Sequence, residues 1–109
     1  MRSLEPDEFV FSERWWDVRG RDIDDEARRE ILVRELRLEV GEGHTLFGAH
    51  PTAVASCQHC DDVILELDNG QFAVVHLVWQ GPQCAPWPDT DVLEDWDAVV
   101  ARVLEHEDA

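Results

Sequence analysis

The stretch DDVILELDNGQFAVVHLVW, residues 61–79, decides how this chain folds. Asn69-Gly70 stands between two runs rich in strand formers. That pair favours a tight hairpin turn in which both central residues adopt positive φ. A two-residue loop makes the numbers of facing residues sum to 139, which sets Leu67 opposite Phe72, Leu65 opposite Val74 and Val63 opposite His76. One face then carries Val63, Leu65, Leu67, Phe72, Val74 and Val78, with His76 as a polar guest, and is predicted to be the core face. The other face is polar near the turn but apolar toward Val75, Leu77 and Trp79, so something else must cover its open end.

Upstream of the hairpin, TAVASC (52–57) reads as a short strand of small residues, and HTLFGAHP (44–51) as a loop anchored by Phe47. Residues 24–40 read as a helix. Asp22 or Asp24 can cap it, acids crowd its first turn, and Leu32, Leu36 and Val40 form an apolar row that Gly41 and Gly43 terminate. Leu36, Leu38 and Val40 also alternate with charges, as in a half-buried strand, but the good helix formers upstream favour the helix.

Downstream, QGPQCAPWPDTD (80–91) is a Pro-rich connection. A helix is expected over 91–105, with Thr90 or Asp91 as its cap and Glu94 closing a capping box. Val92, Trp96, Val99 and Val103 supply its apolar stripe. The predicted fold is α+β: a three-stranded antiparallel sheet (near 52–57, 62–68 and 71–79) with helices near 24–40 and 91–105 packed on one face. The 109 residues suit one domain. Residues 1–21 are expected to form an N-terminal arm or a short helix opening at Pro6, anchored by Phe9, Phe11, Trp15 and Trp16.

Charge is the strongest compositional signal. There are 25 acidic and 9 basic side chains, a formal net charge of −16, and all the basic residues are Arg. Residues 1–40 hold 12 acids and 8 Arg, whereas residues 41–109 hold 13 acids and Arg102 alone. Such a surface repels nucleic acid and anionic membranes and steers basic partners. No apolar run approaches the ~20 residues that span a bilayer. MRSLEPDEFVF lacks an apolar stretch behind a basic start, so no secretory leader is expected. With three cysteines, an odd number, the expectation is reduced thiols in a cytoplasmic protein.

The string DDVILELDNGQFAVVHLVWQGPQCAPWPDTDV resembles a group of small uncharacterised bacterial proteins. In that group an Asp-Asp-Val-Leu strand leads through an Asp/Asn-Gly turn to an AVVHL-x-W strand, a PWP-x-T segment and a Trp-bearing helix. The matching positions are Asp61, Asp62, Val63, Asn69, Gly70, Ala73 to Leu77, Trp79, Pro86 to Pro88, Thr90 and Trp96. The likeness spans roughly residues 44–100. It implies the hairpin and no particular chemistry; the Cys57–Cys60 pair and Gln83 to Ala85 lie outside the pattern.

Three constellations carry candidate chemistry. Cys57-Gln58-His59-Cys60 is half of a zinc-knuckle pattern, and Cys57, His59 and Cys60 are the weak metal candidates, but no second ligand pair follows. Asp61 and His76 fall diagonally across the hairpin in the register above, a weak catalytic pair in which the carboxylate would orient the imidazole; Ser56 and Cys57 are nucleophile candidates by proximity alone. Third, Trp87 sits between two prolines, eight residues after Trp79, as an exposed aromatic anchor beside Asp89, Asp91, Glu94, Asp95 and Asp97.

The favoured function is therefore a small acidic protein-binding module of the immunity, antitoxin or inhibitor type. It would engage a basic partner through Asp61, Asp62, Trp87, Asp89, Asp91, Glu94, Asp95 and Asp97. No cofactor is expected. The alternatives are a minor enzyme or metal site around Asp61, His76, Cys57 and Cys60, and a self-associating homodimer whose acidity is only compositional.

Overall fold

In the computed structural model, which describes residues 9–108 (side chains to 105), the hairpin loop contains three residues and not two. The Leu67 amide donates to the Gln71 carbonyl at 2.8 Å and the Gly70 amide to the Leu67 carbonyl at 3.2 Å. Gly70 alone in this loop has positive φ, +88°. This is a turn closed by a left-handed glycine, the common three-residue alternative to the Asn-Gly two-residue loop. The Asn69 side chain accepts the Gln71 amide at 3.0 Å, which fixes the turn from outside.

One extra loop residue moves the register by one. Val63 now faces Val75, Ile64 faces Val74, Leu65 faces Ala73 and Asp62 faces His76. Because side chains alternate between faces, that slip exchanges the faces of one strand relative to the other. Val63, Leu65, Ala73, Val75 and Leu77 share one face, and Ile64, Phe72 and Val74 share the opposite one. Both faces are apolar, so both must be covered.

The chain supplies a helix for each. The order of elements is β1 (Trp15–Asp17), α1 (Ile23–Glu39), β2 (Thr52–Cys57), β3 (Asp62–Glu66), β4 (Phe72–His76), β5 (Asp89–Leu93) and α2 (Trp96–Asp108). The strands form one antiparallel sheet in sequence order, β1-β2-β3-β4-β5. Leu32 and Leu36 of α1 pack with Val18, Leu46, Val63 and Leu65. Trp96, Val99 and Val103 of α2 pack with Trp15, Ile64, Phe72 and Val74 on the other side. The expected α+β class holds, but the sheet has five strands where three were expected, and the helices lie on opposite faces where one shared face was expected.

Two of the five strands replace other expectations. Trp15–Asp17 pairs with Ala55 to Cys57 as an edge strand, within the segment expected to be an arm or short helix. The expected helix start at Pro6 lies outside the described residues. Asp89–Leu93 pairs with β4 as the opposite edge, so Asp91, Val92 and Leu93 belong to a strand and the second helix begins at Trp96. Asp95, and not Thr90 or Asp91, caps that helix, accepting the Ala98 amide at 2.9 Å. Strand pairing wins because Val92 and Leu93 lie opposite Ala73 and Phe72, while the helical stripe needs only Trp96, Val99 and Val103.

β2 reaches both layers through a bulge. Ala53 faces Leu65 and Ala55 faces Ile64, so Val54 is the extra residue. Ala53 therefore joins the α1-side core while Val54, Ala55 and Cys57 join the α2-side core. In the loop before β2, Phe47 is 59% exposed, against the expectation that it anchors the loop; Leu46 and His44 are the buried residues there. Among the described residues no helix is long and apolar enough to cross a membrane.

Candidate functional site

The register sets a row of polar groups across the α2 side of the sheet. Asp62 on β3 faces His76 on β4, which faces Asp89 on β5. His76 Nδ1 lies 2.8 Å from Asp62 Oδ1. The imidazole is 54% exposed and the Asp62 carboxylate 19%. The expected partner, Asp61, is exposed and contributes its carbonyl to the Leu77 amide at 3.1 Å. His76 therefore sits at the surface with Asp62, not in the apolar face with Asp61, because the three-residue loop turned β4 over.

A carboxylate at Nδ1 holds an imidazole with Nε2 toward solvent, a geometry able to pass protons. The nucleophiles proposed beside it are badly placed. Ser56 faces Val63 and is buried on the α1 side. Cys57 is buried among core residues. Burial, then its contact with the Cys57 side chain and the Asp62 charge, push the Cys60 thiol up to about 12, so it stays protonated near neutrality. The Cys57 sulfur accepts the His59 amide at 3.4 Å, while the His59 side chain is exposed. Among the described residues no group of three or more His, Cys, Asp or Glu is arranged to hold a metal ion.

The acidic candidates gather along one edge. Asp89, Asp91, Glu94, Asp95 and Asp97 are all exposed on β5 and the start of α2. Two of them have structural duties. Asp91 pairs with Arg102 of α2 at 2.8 Å, and Asp95 is the helix cap. Trp87 precedes the strand by two residues and is 55% exposed. Its sequence neighbours Pro86 and Pro88 both follow cis peptide bonds. Asp62 opens β3 in the same cross-strand row as Asp89, with His76 between them, whereas Asp61 precedes the strand.

Sequence reading missed two buried polar residues that shape this end of the molecule. Glu39, in the last turn of α1, is completely buried. Its carboxylate accepts the amides of Val78 at 2.9 Å and Trp79 at 2.7 Å, and its carbonyl accepts the Gln83 amide at 3.1 Å. Burial and the neighbouring Glu35 carboxyl hold Glu39 up at about 7, against the pull of the two amides. Glu39 follows Leu32 and Leu36 at helical spacing on the buried row, and that spacing was the available signal.

His44 is the second. Its Nδ1 accepts the Leu46 amide at 2.9 Å, so Nε2 carries the proton and donates to the Pro88 carbonyl, also at 2.9 Å. Thr90 Oγ1 donates to the same carbonyl. The imidazole thus ties the loop after α1 to the start of the acidic edge.

Compared with protein families, curated proteins and solved structures, the chain finds no match.

Proposed function

We propose that this chain is a protein-binding module that offers the acidic edge of β5 and the start of α2 to a basic partner surface. The observation that carries the reading is the coincidence of an open sheet edge with a concentrated negative field. β5 is an outer strand, and Asp89, Asp91, Glu94, Asp95 and Asp97 are exposed on it and just beyond it. An outer strand has backbone groups ready to pair with an added strand, and charge complementarity selects which strand arrives. Trp87 supplies an exposed aromatic anchor at one end. Inhibitors, immunity proteins and antitoxins that cover a basic surface are the general type.

The enzyme and metal readings rank lower. Among the described residues the Asp62–His76 pair has no activated nucleophile beside it, and the Cys60 thiol is held protonated.

The test uses a fluorescent peptide of alternating Lys and Val and two substitutions, Asp89→Asn and Glu94→Gln, that keep the Asp91–Arg102 pair, the Asp95 cap and Asp97 in the first turn of α2. Association with the wild-type protein should slow steeply as salt rises from about 0.05 to 0.3 M, because the Debye length shortens over that range. The double variant should bind about tenfold more weakly at low salt with its thermal unfolding unchanged. Binding that responds to neither salt nor the substitutions removes this function.

A further inference from the structure

A second surface, of opposite sign, lies on the other side of the sheet. A cleft of about 640 Å³ runs between α1 and the start of β2. Its floor is apolar, from Val33, Leu38, Pro51 and Ala53, and its α1 wall carries Arg29, Arg34 and Arg37 with Glu30 as the one acid. In a chain of net charge −16, this is a locally cationic trough. Arg34 is exposed, and among the described residues its guanidinium makes no ion pair or hydrogen bond. Arg37 is exposed, and its guanidinium lies 3.4 Å from the Nδ1 of His50. Arg29 is committed to structure: it donates to the Val18 and Gly20 carbonyls and closes one end of the trough.

The sheet is incomplete along the same trough. β1 covers β2 only from Ala55 to Cys57, with one further bond from the Val18 amide to the Val54 carbonyl at 3.0 Å. Thr52 and Ala53 have a described sheet neighbour on the β3 side alone. Ala53 is buried, so of these two residues Thr52 alone is exposed at the mouth of the cleft, beside the guanidinium wall.

We infer that this cleft binds an extended acidic peptide segment, which lays its apolar side chains on the floor and turns alternate carboxylates toward Arg34 and Arg37. The spacing fits. Alternate side chains of a strand are about 6.8 Å apart, and residues three apart on a helix surface lie about 5–6 Å apart at Cβ, within reach of two flexible guanidinium arms. Arginine suits the task because its planar fork takes a carboxylate through two hydrogen bonds. The net negative charge of the chain opposes approach from a distance. At physiological ionic strength that field fades over about 8 Å, whereas paired groups in contact are screened much less.

The test is a titration of a fluorescent peptide of alternating Glu and Val at about 0.15 M salt. Wild type should bind it, and Arg34→Glu/Arg37→Glu should bind it at least about tenfold more weakly with unchanged thermal unfolding, both positions being exposed. Should the reversal disturb folding, Arg34→Gln/Arg37→Gln removes the charges more gently and should still weaken binding. Equal binding by wild type and the glutamine variant overturns the proposal. If sedimentation shows a dimer that Arg34→Glu/Arg37→Glu splits, a second copy fills the cleft and the peptide assignment fails.

Discussion

The Trp79 amide is held by the Glu39 carboxylate at 2.7 Å, across 40 positions of sequence. Trp79 has φ +61°, a left-handed backbone that a bulky residue adopts only under constraint from its surroundings. The Arg28 guanidinium lies 5.6 Å from its ring centre and 5.5 Å from that of Trp16, so the exit from β4 is clamped from α1 at two points.

Glu39→Gln should therefore change how stability depends on pH. The folded protein holds this carboxyl at about 7, against 4.5 for the free side chain, so between those values the folded state keeps a proton that the unfolded chain gives up. The resulting stabilisation is complete below pH 4.5 and is lost as pH rises through 7. Urea unfolding across that window should show wild type losing stability relative to the glutamine variant as pH increases. Parallel curves would detach Glu39 from the effect.

Gly70→Val isolates backbone strain. A Cβ built at Gly70 meets nothing within 4 Å, so the only cost is the left-handed φ of +88°. A loss of about 1 kcal/mol or more is expected, measured as a lower unfolding midpoint. An unchanged midpoint would mean that the loop can adopt another turn at no cost.

Removing the His44 ring should loosen two segments together. His44→Ala leaves the Leu46 amide without the ring that accepts it and leaves the Pro88 carbonyl with the Thr90 hydroxyl alone, at a cost of about 1–3 kcal/mol. Hydrogen exchange should quicken at Leu46 and around residues 87–90. A change confined to the first loop would show that the tie to Pro88 contributes nothing.

Thiol reactivity should separate the cysteines. Cys84 is exposed, Cys57 is buried, and Cys60 is partly covered and held protonated. An aromatic disulfide reagent near neutral pH should modify one thiol rapidly and two slowly, and Cys84→Ser should abolish the fast phase. A fast phase surviving that substitution would contradict the burial of the pair.

The hairpin, the helix from Ile23 and the strand Thr52–Cys57 were legible because local chemistry decides them: an Asn-Gly turn, an acidic first turn before a leucine row, and a run of small residues. The register was not legible. Ile64 and Val74 make one face as apolar as Val63 and Leu65 make the other, so hydrophobic pattern alone gives no penalty for a one-residue slip. That ambiguity misplaced His76, and with it the candidate dyad. β5 escaped notice because Asp89-Thr90-Asp91 has poor strand propensity and imitates a helix cap; pairing with β4 overrides it. Three-residue β1 is too short to leave a periodic signal.

The sheet's neighbour-to-neighbour order also has a kinetic consequence. From β2 to β5 each strand meets its partner across a connection with no intervening helix, so little chain entropy is spent in closing each loop. β1 differs: it reaches β2 only after α1 has been spanned. The meander from β2 to β5 is thus expected to assemble early, and the Trp15–Cys57 and Val18–Val54 contacts to close late. Substitutions in β1 should accordingly speed unfolding and leave the folding rate nearly untouched, whereas those at Leu65 or Val75 should slow folding itself.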